Sequence, residues 1–483
     1  MEQVIETARP RARWALAGLS LSMLMPSLDT SIANVGLPTL ARAFGASFQQ
    51  AQWIVLAYLL VLTSLIVGVG RLGDLLGRRR LLLAGIGLFT AASLLCGLAP
   101  TLELLIAARG AQGLGAAIMM ALTLALVGET VPKDRTGAAM GLLGTMSAIG
   151  TTLGPSLGGL LISGFGWRMI FLINLPLGIA NLVLAARTLP ADPPPARGGR
   201  FDGVGTALLA LTLGAYALAM TSGREGFGPL ALLAATGAVL FGVWQGRAAQ
   251  PLLPLAMFRQ PGLAAGLAMS LLVATVMMAT LVVGPFYLTG ALRLDAARVG
   301  LVMTVGPLVA ALSGAPAGRL ADRFGAPVMT LAGLTGLAGG LLALAVAPAR
   351  FGAGGYIGAI VVVTGSYALF QAANNTAIMA EVAPDQRGVI SGLLSLSRNL
   401  GLITGACVLG AVFALATAAK DVTTASPQAL AAGMGATFTV AAGLVGVAFG
   451  VALAGRRSAP RAQPLSPIAP RRARFGGRRS APR

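Results

Sequence analysis

Histidine is absent from the 483 residues and cysteine occurs only twice. Without imidazole, proton transfer near neutral pH falls to carboxylates. Cys96 and Cys407 each lie inside an apolar run, so the chain has neither a disulfide framework nor a metal-ligand spacing. Charge is sparse too: 10% of residues are charged and 5% aromatic, against 56% hydrophobic, and the mean hydropathy is +0.82. A soluble domain could not bury that much apolar surface, so the composition points to an all-α polytopic membrane protein. No nucleophile elbow and no cluster of metal or acid–base residues points to an enzyme.

The charge that is present is lopsided, with a formal net charge of +20. The arginines fall between the apolar runs and in the C-terminal stretch, where lipid headgroups are nearer partners than nucleic acid, so no nucleic-acid partner is expected. No feature marks an obligate protein partner. About fourteen apolar runs of bilayer length can be counted, from 14–36 to 430–454. They divide the chain into an N-terminal tail (1–13), a six-helix bundle (14–189), a Pro- and Gly-rich linker (190–202), an extra helix pair (203–246), a second six-helix bundle (247–454) and a basic, aperiodic tail (455–483) expected to be disordered. The first run lacks a small-residue cleavage site and reads as a retained span. Most of the 35 Lys and Arg residues fall in the two tails and the loops after even-numbered runs. The positive-inside rule then predicts a multi-pass protein of the cell (inner or plasma) membrane with both termini cytoplasmic.

Loop sequences repeat. GRLGDLLGR at Gly70–Arg78 is echoed by GRLADRFG at Gly318–Gly325, and VPKDRTGAAMG at Val131–Gly141 by VAPDQRGVISG at Val382–Gly392. A duplicated helical bundle with its site between the halves is an architecture of secondary transporters. In the first loop Gly70, Gly73 and Gly77 permit a tight turn, and Arg78 faces the anionic leaflet. Asp74 either pairs locally with those arginines or engages the other half in one conformation only, biasing an equilibrium between two packings.

Within the spans, Asp29 is the clearest embedded acid. A carboxylate at that depth is costly to ionise, which suits a group that loads and releases a proton. Arg109 lies at a similar depth in the antiparallel fourth run and is the expected counter-charge, with Gln112 one turn away and able to bond either group. Asn34 adds polar lining near Asp29, and Asn34, Gln112, Gln371, Asn374 and Arg398 are the candidate cavity-lining residues. Arg398, in the thirteenth run, has no acid at its depth; backbone carbonyls, Gln371, Asn374, Asn375 or an anionic substrate are its candidate partners, and a structural role is favoured over a functional one. In the fifth run Gly150, Gly154 and Gly158 recur every fourth residue and share one helical face, with Pro155 among them and Gly141 on another face. That face is read either as ordinary small-residue packing or as a hinge sliding against the other half.

GRLGDLLGRRR resembles the loop signature of the major facilitator superfamily. The pattern of Gly141, Gly150, Gly154, Pro155, Gly158 and Gly159 is similar to the antiporter motif of its drug:proton exchangers. LDTSIANVGLP at Leu28–Pro38, LIAARGAQGLGAA at Leu105–Ala117 and WRMIFLINLPLG at Trp167–Gly178 resemble signatures of the fourteen-span drug:proton antiporter family, while SLSRNLG at Ser395–Gly401 matches more loosely. The resemblance implies alternating-access export of hydrophobic, often cationic drugs in exchange for protons, with no cofactor beyond the proton. On the same fold, a uniporter or proton symporter of a polar metabolite is the alternative.

Overall fold

The computed structural model describes residues 2–130, 136–192, 201–248, 252, 260–380, 387–419 and 421–458. The sequence echoes at 131–135 and 382–386, most of the 190–202 linker and the tail beyond 458 lie outside these residues. Nearly all of the described chain is helical, as hydrocarbon requires: with no water to satisfy amides and carbonyls, the backbone must bond within each segment.

In chain order the helices are α1 (Glu2–Phe44), α2 (Phe48–Leu76), α3 (Arg78–Leu98), α4 (Leu102–Thr130), α5 (Thr136–Phe165), α6 (Met169–Thr188), α7 (Gly203–Thr221), α8 (Gly223–Arg247), α9 (Pro261–Gly290) and α10 (Ala296–Phe324). The next stretch, Ala326–Ala380, is two helices, α11 and α12, meeting at Gly352, whose φ of 57° and ψ of −137° interrupt the helix. α13 begins at Arg387, passes through a π-helical segment at Gly405–Leu409 and ends at Ala416; α14 is Pro427–Ser458. Twelve stretches are long and apolar enough to cross a membrane, Ala326–Ala380 counting as one of them. The long α1 is not among the twelve because Ser, Asp, Thr and Asn dilute its hydropathy. With α11 and α12 counted separately and α1 added, the described residues contain fourteen membrane-length helices. Helix α1 also reaches well before residue 14, into the stretch expected as a tail.

The internal repeat is visible in the backbone. Helices α2 and α10, which carry the two loop echoes, end at Gly77 (φ +94°) and Gly325 (φ +85°), left-handed positions that a side chain would strain. Helix α1 packs on α5, and α4 on both α2 and α3. In the second half α9 packs on α13 and α14, and α11 and α12 on α10 and α14. The extra pair is peripheral: α7 lies on α2, tied by Trp53 Nε1 donating to Thr221 Oγ1 at 3.2 Å, and α8 packs on α7.

The halves meet through α5 against α10, α1 against α9 and α2 against α13. The contacts that join them lie toward the face opposite the chain termini. There Phe48 packs edge-on against Phe286 and Phe413, with centroids 4.8 and 5.6 Å away. Gln52 Nε2 donates to the Ala406 carbonyl of the π segment at 2.9 Å, and Gly410 leaves room for that amide.

Candidate functional site: a buried ion pair and a polar cavity

Asp29 on α1 is 1% exposed. A carboxylate buried that far needs its oxygens saturated. Oδ2 accepts from Arg109 Nη1 at 2.5 Å, and Oδ1 accepts from Gln112 Nε2 at 2.8 Å and Asn174 Nδ2 at 2.9 Å. Arg109 is itself fully buried. Its Nε donates to the Ile54 carbonyl at 3.0 Å and its Nη1 also to Gln112 Oε1 at 2.6 Å. The guanidinium lies 4.4 Å from the centroid of the Tyr58 ring, while Nη2 has no hydrogen-bond partner. Gln112 is anchored in turn by donating to Ser93 Oγ at 2.8 Å. Five helices, α1 to α4 and α6, thus close around one carboxylate.

The sequence brought Asp29, Arg109 and Gln112 together correctly but gave no role to Asn174, Ser93 or Tyr58. The signal for Asn174 is Pro176, two residues on, which lacks the N–H that would bond the Leu172 carbonyl. The helix breaks at Ile173, and Asn174 starts the next segment. Asn34 is 1% exposed and neither end of its amide has a partner.

A cavity of about 160 Å³ lies in the second half, between α9, α12 and α13 and toward the terminal face. Gln371 and Arg398 line it, together with Ser270, Tyr367, Asn375 and Ser395. Three other residues expected to line a cavity do not line this one. Asn34 and Gln112 are sealed in the first half. Asn374 turns away, donating to the Gly266 carbonyl at 3.1 Å and Ser270 Oγ at 3.0 Å, so it ties α12 to α9 while its neighbour Asn375 faces the space.

In the loop between α2 and α3, Asp74 pairs with its own neighbours: Arg78 at 2.8 Å and Arg71 at 3.7 Å. Gly73 approaches Leu122 of α4, whereas Gly70 faces open space. The closest partner of Gly77 is Asp192, just after α6. Its carboxylate accepts from the backbone of Arg79 at 2.6 Å and Arg80 at 3.0 Å, supplying the cap that Gly77 cannot give to α3.

The glycine ladder of α5 serves two neighbours. Gly150, Gly154 and Gly158 meet α1, at Leu24 and Leu28, Ser31 and Ile32 respectively, so this face packs inside the first half and does not slide against the second. Equal spacing identifies a shared face but says nothing about which helix covers it. The surface meeting the other half is the adjacent one, where Gly159 abuts Ala296 and Gly300 of α10, and Gly300 abuts the Pro155 carbonyl. Gly141 has no neighbour close enough to obstruct a side chain.

A family model described as Major Facilitator Superfamily matches residues 19–406. The chain belongs to the major facilitator superfamily. It is 35% identical over 407 residues to multidrug resistance protein Stp of Mycobacterium tuberculosis, covering 83% of this chain and 75% of that protein. It is 31% identical over 405 residues to riboflavin transporter RibZ of Clostridioides difficile, covering 84% and 89%. Among solved structures, a bacterial homologue of the human lysosomal transporter Spinster, inward-facing and unoccupied, superposes with a TM-score of 0.71 at 15% identity, covering 93% of this chain and 97% of that one. This superfamily member is therefore a transporter and not an enzyme, with the superfamily's helical fold.

Proposed function

We propose that the protein is a proton-driven exporter of hydrophobic compounds, resident in the plasma membrane with both termini cytoplasmic, working by alternating access. One observation carries the reading: Asp29, held by Arg109, Gln112 and Asn174, is the one carboxylate sealed inside the helical bundle among the described residues. While the pair is intact the charges cancel. A proton on Asp29 Oδ2 leaves the guanidinium as an uncompensated buried cation, an arrangement costing several kcal/mol. Relief requires the helices carrying the two groups to separate or to admit water, so protonation and rearrangement are tied together. With the contacts between halves clustered away from the termini and the cavity toward them, the arrangement fits a conformation open to the cytoplasm. The likeness to a multidrug resistance protein supports export of hydrophobic compounds, and the arginine-rich loops support the orientation.

Polar lining in the second-half cavity and the likeness to a riboflavin transporter favour one alternative, proton symport or uniport of a polar metabolite. Reconstitution separates the two. In liposomes holding an internal pH dye, an antiporter moves protons against the substrate, a symporter moves them with it, and a uniporter moves none. Asp29→Asn should abolish substrate-driven proton movement while leaving folded protein in the membrane. Gradient-driven transport at the parent rate by that variant would remove Asp29 from the mechanism.

A further inference from the structure

We propose that the cavity between α9, α12 and α13 is a receptor for monoanionic aromatic compounds, with Arg398 binding the charged group. The proposal takes the transporter reading for granted and adds the charge and shape of the substrate.

Arg398 sits eleven residues into α13, about 16 Å along the helix from its first residue. A cation at such depth normally has a carboxylate or a set of carbonyls around it. Arg109 in the first half follows that rule with three hydrogen bonds. Arg398 makes no hydrogen bond or ion pair among the described residues, and it opens onto the cavity. Three further cavity side chains share this condition: Gln371, Asn375 and Ser395 line the same space with no hydrogen bond from their side chains among the described residues. A guanidinium fork with amide and hydroxyl donors around it matches a carboxylate or an ionised phenol.

The surroundings exclude the opposite charge. Among the described residues, no Asp or Glu lines the cavity. The described acids of the second half stand at helix ends or in turns: Asp295 caps α10, Asp322 is near its end and Asp421 is in the turn before α14. A cationic compound would meet Arg398 with nothing to neutralise either charge, so the expected preference for cationic drugs has no support here. Tyr367 and Phe370 supply ring surface to the lining, which favours a planar aromatic body. The volume of about 160 Å³ is below the ~300–1,000 Å³ usual for drug-sized ligands, so the cavity receives a compact aromatic acid or one end of a larger compound.

The test is equilibrium binding by calorimetry to the full-length protein in phosphatidylcholine nanodiscs at neutral pH, with no proton gradient. Three probes share one ring system: 2-naphthoate, neutral 2-naphthamide and 2-naphthyltrimethylammonium. Naphthoate should bind most tightly and the ammonium compound most weakly. Arg398→Gln should weaken naphthoate roughly ten- to hundredfold, the range for loss of a charge-assisted hydrogen bond. The same variant should keep its affinity for naphthamide, which shows that the cavity is intact, and Arg398→Lys should recover part of the loss. Ammonium binding as tight as naphthoate, no naphthoate binding, or unchanged naphthoate affinity in Arg398→Gln would each overturn the proposal. Because no gradient is used, the result is independent of coupling: substrate-driven proton movement can fail in liposomes while anion selectivity stands, and the reverse.

Discussion

Gly154 and Gly159 of α5 are five residues apart, yet an added methyl at each should produce different failures. At Gly159 a Cβ would strike the Ala296 carbonyl and come within 3.1 Å of the Gly300 Cα, backbone atoms of the other half that cannot rotate away. Overpacking of this kind costs ~1–3 kcal/mol. The cost falls only on the conformation in which the halves are closed at the face opposite the termini. Gly159→Ala should therefore shift the ratio of conformations by roughly five- to 150-fold toward opening there, with little loss of thermal stability. At Gly154 a Cβ would lie 2.7 Å from the Ser31 Cβ and 3.1 Å from the Ile32 nitrogen, both on α1 of the same half. That penalty is present in every conformation of the bundle, so Gly154→Ala should lower thermal stability by a similar ~1–3 kcal/mol and leave the ratio alone. The assay is electron–electron spin resonance between labels at Ala43 on α1 and Leu415 on α13, both exposed near that face, in a background with Cys96 and Cys407 replaced. A longer distance population in Gly159→Ala but not Gly154→Ala is expected. Equal distance distributions in the two variants, with equal loss of stability, would refute the assignment of these glycines to different interfaces.

Asn174→Leu removes one of three donors to Asp29 without adding charge; on the proposed mechanism, substrate-driven proton movement in liposomes should be slowed while membrane insertion is retained. Asp192→Ala should cost ~0.5–2 kcal/mol through loss of the α3 cap, read as a lowered unfolding midpoint. Asp74→Asn should change stability by less than ~1 kcal/mol, since its partners are local and solvent-screened. Burial alone would raise the Asp202 carboxyl, but donors from Trp244, Gly205 and Gln245 outweigh it and hold it below the ordinary range. A lowered value in the folded state stabilises above the unfolded value of about 4 and is lost as pH falls through the folded one. The contact between the start of α7 and the end of α8 should loosen on acidification below that point, followed by Trp244 fluorescence, and Asp202→Asn should flatten the response.

The parts of this site that were legible in the sequence are those where electrostatics leaves few choices. An acid embedded in an apolar helix must be paired, and depth matching between antiparallel helices named Arg109 as the partner of Asp29. Asn174 carries no charge, so nothing in hydropathy or spacing singles it out among neutral polar residues. The cap from Asp192 to α3 joins residues more than a hundred positions apart, and a linker acid gives no local sign of it. Fourteen runs and the duplicated loops were readable because each is a local property of length or repetition. Which helix covers the glycine face of α5 is a tertiary choice, and Asn374 and Asn375 show the same limit on a smaller scale: adjacent and chemically identical, one bonds α9 and the other faces the cavity.

Within three residues, helix α2 bonds both Arg109 and the helix that carries Arg398. Its Ile54 carbonyl accepts from Arg109, and its Gln52 amide donates to Ala406 in the π segment of α13, eight residues beyond Arg398 on the same helix. On the proposed proton-driven mechanism, a tilt of α2 that follows a movement of the guanidinium would reach α13 through these two bonds, with no need for the proton and the cargo to meet. Such a linkage lets the lining of the cavity change by mutation while the machinery that drives it keeps the same parts.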